Sequence, residues 1–127
     1  MSEPVTVVLD TNLFVAAYWA PRSASARLIR ASMEGAVRAA YTPEVRREVD
    51  FVLQTLKASA DYLRTLEPFW ERAREVAAVS VPSITVDDPD DQKLIEAAAG
   101  AEADFLITND DHLLRIGYVG RTEILTP

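Results

Sequence analysis

The chain is expected to fold as α/β, a three-layer α/β/α sandwich built around a mainly parallel sheet. Three observations predict it. Short apolar runs alternate with longer stretches of helical periodicity, the pattern of strands joined by crossover helices. Runs such as "VTVVL" and "DFLIT" are apolar almost throughout, as strands covered on both faces are. The 127 residues carry no repeat or low-complexity segment, so one core over residues 1–127 is the simplest organisation.

The elements follow in order. "VTVVL", residues 5–9, is the first strand. "SASARLIRASMEG" is a helix with Ser23 or Ser25 as its cap and Gly35 just past its end. "VRAAY" makes a short second strand. "TPEVRREVDFVLQTL" is a helix capped by Thr42, with Pro43 in its first turn and an apolar stripe of Val45, Val49, Val52 and Leu56. Residues 59–78 are helical, with a break near Pro68. "AVSV", residues 78–81, is expected as a third strand. "VPSITVDDPDD" is a loop, and it leads into the helix "DQKLIEAAAG", stopped by Gly100. "DFLIT" and "TEILT" are the last two strands.

Composition removes several function classes. There is no cysteine, which excludes disulfides, thiol nucleophiles and thiolate zinc sites. No apolar run is long enough to span a membrane, and "MSEPVTVV" lacks the basic start and apolar core of a signal peptide. The expectation is a cytoplasmic protein without membrane contact. The net charge of −7 argues against unspecific nucleic-acid binding. It is unevenly spread: residues 1–64 hold eight Lys/Arg against seven Asp/Glu, a net of +1, and residues 65–127 hold five against thirteen, a net of −8. Arg22, Arg27, Arg30, Arg38, Arg46 and Arg47 lie in the first half, either as solvated side chains or as a surface for RNA or an acidic partner.

Position sorts the carboxylates. Ligands of a parallel sheet bind outside the carboxyl ends of its strands. Asp10 ends the first strand, and Asp110 follows "FLIT" on the same edge. Asp104 precedes "FLIT" and belongs to the opposite edge, in a turn. Asp111 is placed to cap the short turn "DHLL". On the helix after "DDPDD", Leu94, Ile95 and Ala98 mark the buried face. Asp91 points into the middle of that face, while Asp90 and Glu96 point elsewhere. The helix dipole alone accounts for an acid there too. Glu48 lies on the flank of its apolar stripe and, taken alone, reads as an ordinary boundary residue, with Glu44, Arg46, Arg47 and Asp50 on the wet side. Four acids thus compete for one place: Asp10, Glu48, Asp91 and Asp110. Like charges about 4 Å apart repel by roughly 4 kcal/mol at an effective dielectric of about 20. Such a cluster takes a cation or takes up protons. Hard oxygen donors favour Mg²⁺ or Mn²⁺ over zinc. His112 reads as a surface residue.

These stretches resemble the PIN-domain family, in particular the VapC-type ribonuclease toxins of prokaryotic toxin–antitoxin systems. The resemblance rests on "VLDTNLFVAAY", "YTPEVRREVDFVL", "DDPDDQKLIEAAAGAEADFLITNDDHLL" and "TEILTP", which run the length of the chain. "LDTN" alone is a weak motif, and the ordered set is specific. Asn109 departs from the Gly or Arg that relatives often carry before the last acid. The resemblance implies a PIN-like domain and metal-dependent cleavage of RNA. It implies Asp10, Glu48, Asp91 and Asp110 as metal-binding acids, Asn12 and Thr108 as small polar neighbours, and Mg²⁺ or Mn²⁺ as cofactor. It further implies an RNA substrate, a cognate antitoxin partner and a homodimer; the arginine-bearing first half makes Arg46 and Arg47 the candidate RNA contacts. Three other classes compete. A receiver-type phosphotransfer domain would want a Lys after a late strand, which "DFLIT" and "TEILTP" lack. A non-catalytic binding module with the same fold would be indifferent to metal. A dehalogenase-like phosphatase would want Asp at position 12, where Asn stands.

Overall fold

The computed structural model describes residues 3–127. Among them six strands form one sheet: β1 (Thr6–Leu9), β2 (Arg38–Tyr41), β3 (Arg74–Glu75), β4 (Phe105–Ile107), β5 (Tyr118–Val119) and β6 (Thr122–Leu125). Their order is β3-β2-β1-β4-β6-β5. All neighbours run parallel except β5 and β6, which pair antiparallel. The helices are α1 (Thr11–Trp19), α2 (Ala24–Glu34), α3 (Pro43–Thr55), α4 (Ala60–Thr65), α5 (Glu67–Arg72), α6 (Pro89–Ala101) and α7 (Asp111–Ile116).

Side chains alternate across a strand, and here both sides are apolar. Val7, Leu9, Ala39 and Ile107 point into one core, filled by Leu13, Phe14, Ile29, Leu53 and Phe69 from the helices on that side. Val8, Ala40, Leu106 and Ile124 point into the other, filled by Leu94, Ile95, Ala98 and Leu113. Two cores on one sheet make three layers. Helix α3 crosses from one core to the other, giving Val49 and Leu53 to the first and Val45 to the second. Its buried stripe therefore runs through Leu53; Val52 is half-buried and Leu56 exposed, a turn of the helix away from the expected Val52–Leu56 line.

Several boundaries differ from the sequence reading, each for a local reason. The helical stretch after residue 59 is two short helices that meet at Leu66, with Pro68 in the first turn of α5, where a proline costs nothing. The third strand is Arg74–Glu75, not "AVSV". Residues 77–79 instead lie along α6, where the Val79 N–H donates to the Glu96 carbonyl. That contact explains Gly100. The glycine does not stop α6, which continues to Ala101 and ends on Glu102 in the left-handed region at φ 48°. A Cβ at Gly100 would collide with the Ala77 carbonyl. Helix α1, unassigned in the sequence reading, is buried along Thr11, Leu13, Phe14 and Ala17.

Candidate active site

The strand order reverses between β1 and β4, so the crevice at their carboxyl ends is the expected ligand position for this topology. Asp10 follows β1 and caps α1. It is 5% exposed; one carboxyl oxygen accepts from the Asn12 N–H at 3.1 Å, the other from the Thr108 hydroxyl at 2.6 Å. Burial pushes its pKa up, against the pull of those two hydrogen bonds. Thr108, fully buried after β4, also accepts from the Asp110 N–H at 3.0 Å. A hydroxyl has one proton, and here Asp10 takes it, so the same oxygen must act as acceptor toward Asp110. The Thr108 hydroxyl thus links Asp10 and Asp110.

Asp110 is the cap of α7, its Oδ1 accepting from His112 N–H at 2.7 Å and Leu113 N–H at 3.3 Å. Asp111, expected as the cap, is the first residue of the helix instead. Asp91 projects from the first turn of α6 and is 7% exposed. Burial, and then the charges of Asp110, Asp88 and Asp10, push its pKa up to about 6. Glu48 reaches over from α3, its pKa raised by burial and by Asp90.

Asp10, Asn12, Glu48, Asp91 and Asp110 line one cavity of about 120 Å³, together with Val52 and two acids the sequence reading set aside, Asp88 and Asp90. Asp90 lies off the buried face of α6, half exposed beside Lys93, and borders the cavity from its rim. Helix α6 starts at Pro89, with Asp88 as its cap accepting from the Asp90 N–H at 2.9 Å, so Asp90 lies in the first turn at the mouth of the cavity. The Asp-Pro pair was the available signal: Asp as cap and Pro at the first helical position. Asp88, Asp91 and Asp110 also border a larger cleft of about 720 Å³ that runs past Ile84, Val86 and His112.

The donor set is all oxygen, which suits a hard divalent cation. Among the described residues, however, no three His, Asp or Glu groups stand close enough to hold one ion as they lie. The acids line one cavity without three of them meeting at a single point. The two arginines singled out from the sequence are not in this cavity. Arg46 is half-buried rather than on the wet side, its guanidinium 4.7 Å from the centre of the Trp70 ring and 5.9 Å from that of Tyr41. Arg47 is 73% exposed and 3.8 Å from Glu44. Arg27 and Arg30 donate to the Arg22 and Pro21 carbonyls.

Residues 6–112 match the PIN domain family. The chain belongs to that family. Its fold is also similar to the crystal structure of VapBC2 from Rickettsia felis bound to a DNA fragment from the promoter. That match has a TM-score of 0.64 at 14% identity and covers 94% of this chain and 96% of that one. No curated protein matches the chain. The PIN-domain assignment rests on the span that contains every acid of the cavity, and the mostly parallel sheet is the fold that family membership implies. No helix among the described residues is long and apolar enough to cross a membrane.

Proposed function

We propose that residues 1–127 form a single PIN-like domain acting as a Mg²⁺- or Mn²⁺-dependent endoribonuclease, the toxin of a toxin–antitoxin pair in the cytoplasm. The observation that carries the reading is that Asp10, Glu48, Asp91 and Asp110, from four separate segments, line one small cavity at the carboxyl edge of the sheet. A structural role explains none of this jointly. Three of the four have raised pKa values through burial, a cost that a bound cation would remove.

These four carboxylates would hold the metal, which when bound supplies Lewis-acid charge at the scissile phosphate and a water of lowered pKa. The chain's own residues set the stage for that chemistry. Thr108 and the Asn12 N–H hold Asp10 in one orientation; the α7 amide groups do the same for Asp110. Asn12 borders the cavity where substrate oxygens would approach. Cleavage by water leaves a 5′-phosphate and a 3′-hydroxyl, and no side chain of this protein is needed as a nucleophile. Arg46 and Arg47 are proposed to meet the RNA backbone away from the acids. The partner is proposed to be a cognate antitoxin, a reading supported by fold similarity to a VapBC2 assembly. Exposed Phe51, at 65%, and Trp19, at 67%, favour association with a second copy or that partner.

The test is cleavage of a mixed RNA substrate in Mn²⁺ and in EDTA, paired with thermal melts. Millimolar Mn²⁺ should raise the melting temperature, because a ligand bound only by the folded state stabilises it. Cleavage should vanish in EDTA. Overlaid melts and metal-indifferent behaviour would favour a non-catalytic binding module.

A further inference from the structure

The larger cleft beside the acids has one irregular wall, residues 83–86, and a single side chain ties it down. Gln92 Oε1 accepts from the Val86 N–H at 3.3 Å, and Gln92 Nε2 donates to the Ile84 carbonyl at 3.4 Å. One amide thus satisfies both groups on the same edge of an extended backbone, as a neighbouring strand would. The same Nε2 lies 3.5 Å from Glu96 Oε2, which restrains its rotation. Ile84 and Val86 pack against the second core, so the wall has apolar anchorage but no strand beside it. Gln92 adjoins Asp91 on α6; the amide therefore fixes the wall to the helix that carries a central acid.

The cleft is chemically divided. Asp88, Asp91 and Asp110 are shared with the acidic edge; the remainder is Ser83, Ile84, Thr85, Val86, Asp87, His112 and Ile116, with no Lys or Arg in the lining. A phosphate in that remainder would face carboxylates with no fixed cation to hold it. A nucleobase would find the aliphatic side chains of Ile84, Val86 and Ile116 for its faces, and two hydroxyls, an imidazole and the Asp87 carboxylate for its edges, as hydrogen-bonded readout of an unstacked base requires. We propose that this part of the cleft is a subsite for one unpaired base next to the cut, and that Gln92 is the positioning residue fixing its wall. Base preference is then set by residues 83–86. The inference rests on the ribonuclease reading and goes beyond it by assigning where sequence is read.

The experiment compares wild type, Gln92→Ala and Gln92→Glu by amide hydrogen exchange and by kinetics on short single-stranded RNAs that differ in one base. Exchange at Val86 should rise about tenfold in Gln92→Ala, because its acceptor is gone. Discrimination between the oligonucleotides should fall by about fivefold, through KM rather than kcat, while half-saturation by Mn²⁺ stays put. Gln92→Glu keeps an acceptor for Val86 but sets a carboxylate oxygen against the Ile84 carbonyl and Glu96 Oε2, so it should loosen the wall and lower discrimination as Gln92→Ala does. Unchanged Val86 exchange would overturn the clamp, and faster exchange with intact base discrimination would overturn the subsite. If the wild type cuts no RNA, the nuclease reading fails by itself. The same oligonucleotides are then compared by equilibrium binding in Ca²⁺, where loss of discrimination in Gln92→Ala supports the subsite and its persistence overturns it.

Discussion

Asp104 and Asp91 sit at opposite edges of the same sheet and are treated in opposite ways. Asp104, at the amino edge, accepts from the Thr6 N–H at 2.8 Å and from Arg121 at 2.6 Å. Those partners, the backbone N–H first, hold its pKa below the ordinary carboxylate value. Asp91, at the carboxyl edge, has burial and three like charges, and its pKa rises to about 6. Asp104 is set against donors, whereas Asp91 is buried among like charges, a cost that a cation bound there would offset on the function proposed above. Exchanging roles is the most direct way to break this contrast. Asp91→Asn should reduce cleavage in Mn²⁺ on the order of 100-fold or more, since it removes a ligand oxygen's charge. The same variant should be more stable than wild type in EDTA, by about 1–3 kcal/mol at neutral pH. Asp104→Ala should do the reverse: cleavage close to wild type, and stability lower by about 1–2 kcal/mol because the Thr6 N–H loses its acceptor. Full activity in Asp91→Asn, or activity lost in Asp104→Ala without unfolding, would sink the division between the two edges.

The contrast also has a pH signature. Folded Asp91 binds its proton more tightly than unfolded Asp91, whose ordinary value is near 3.8. Between about pH 4 and pH 6 the folded state therefore holds the extra proton, and stability declines as pH rises through that window. The loss attributable to Asp91 is at most about 3 kcal/mol by pH 7. Asp104 contributes with the opposite sign: its stabilisation is present above its ordinary pKa and is lost as pH falls. Urea titrations in EDTA at several pH values should show the Asp91→Asn advantage growing from acid to neutral pH. The Asp104→Ala deficit should shrink toward acid pH. Parallel curves for the three proteins would mean that neither carboxyl is perturbed as described.

Thr108 sharpens the comparison at smaller scale, because it supplies the one hydroxyl donor on the acidic edge. Thr108→Val keeps the shape and leaves Asp10 without its 2.6 Å donor and the Asp110 N–H without its acceptor. A loss of about 1–3 kcal/mol in stability is expected, with cleavage down by about tenfold as two acids lose their alignment. Thr108→Ser should recover most of both. If Val is tolerated with activity intact, the hydroxyl is not what orients the pair.

The parts of this site that could be read beforehand share one property: they depend on local periodicity. Asp10 and Asp110 follow apolar strands, and Asp91 falls on the apolar face of its helix, so each was placed by counting along the chain. Asp88 and Asp90 border the cavity from the end of α6, as its cap and its first turn, and not from the buried face that the counting identifies. Helix α1 escaped notice for another reason. Its "TNLFVAAYW" is apolar on nearly every face, so it has no polar stripe to reveal a period. Gly100 resembled a helix stop and is a contact point, legible only once the Ala77 carbonyl is seen against it. The third strand, Arg74–Glu75, is two exposed charged residues whose pairing comes from β2 alone. Local patterns are written in the chain; contacts between distant segments are not.

The smallest expected effects separate Arg46 from Arg47, neighbours that the sequence could not tell apart. Arg46 lies over the Trp70 ring at 4.7 Å, so its charge is partly engaged within the protein. Arg47 is 73% exposed, with only a 3.8 Å approach to Glu44, and exposed pairs of that kind are worth little. If the α3 face meets RNA, Arg47 is the free phosphate contact. Arg47→Ala should then leave stability within about 0.5 kcal/mol and lower the salt dependence of RNA binding by about one counterion. Arg46→Ala should instead cost about 0.5–1 kcal/mol of stability through the lost stacking on Trp70, with a smaller change in the salt slope. Binding measured across a salt series for both variants, beside their melts, distinguishes the two. An unchanged slope in both would move the RNA surface off α3, toward the other arginines of the first half, while leaving the acidic cavity where it is.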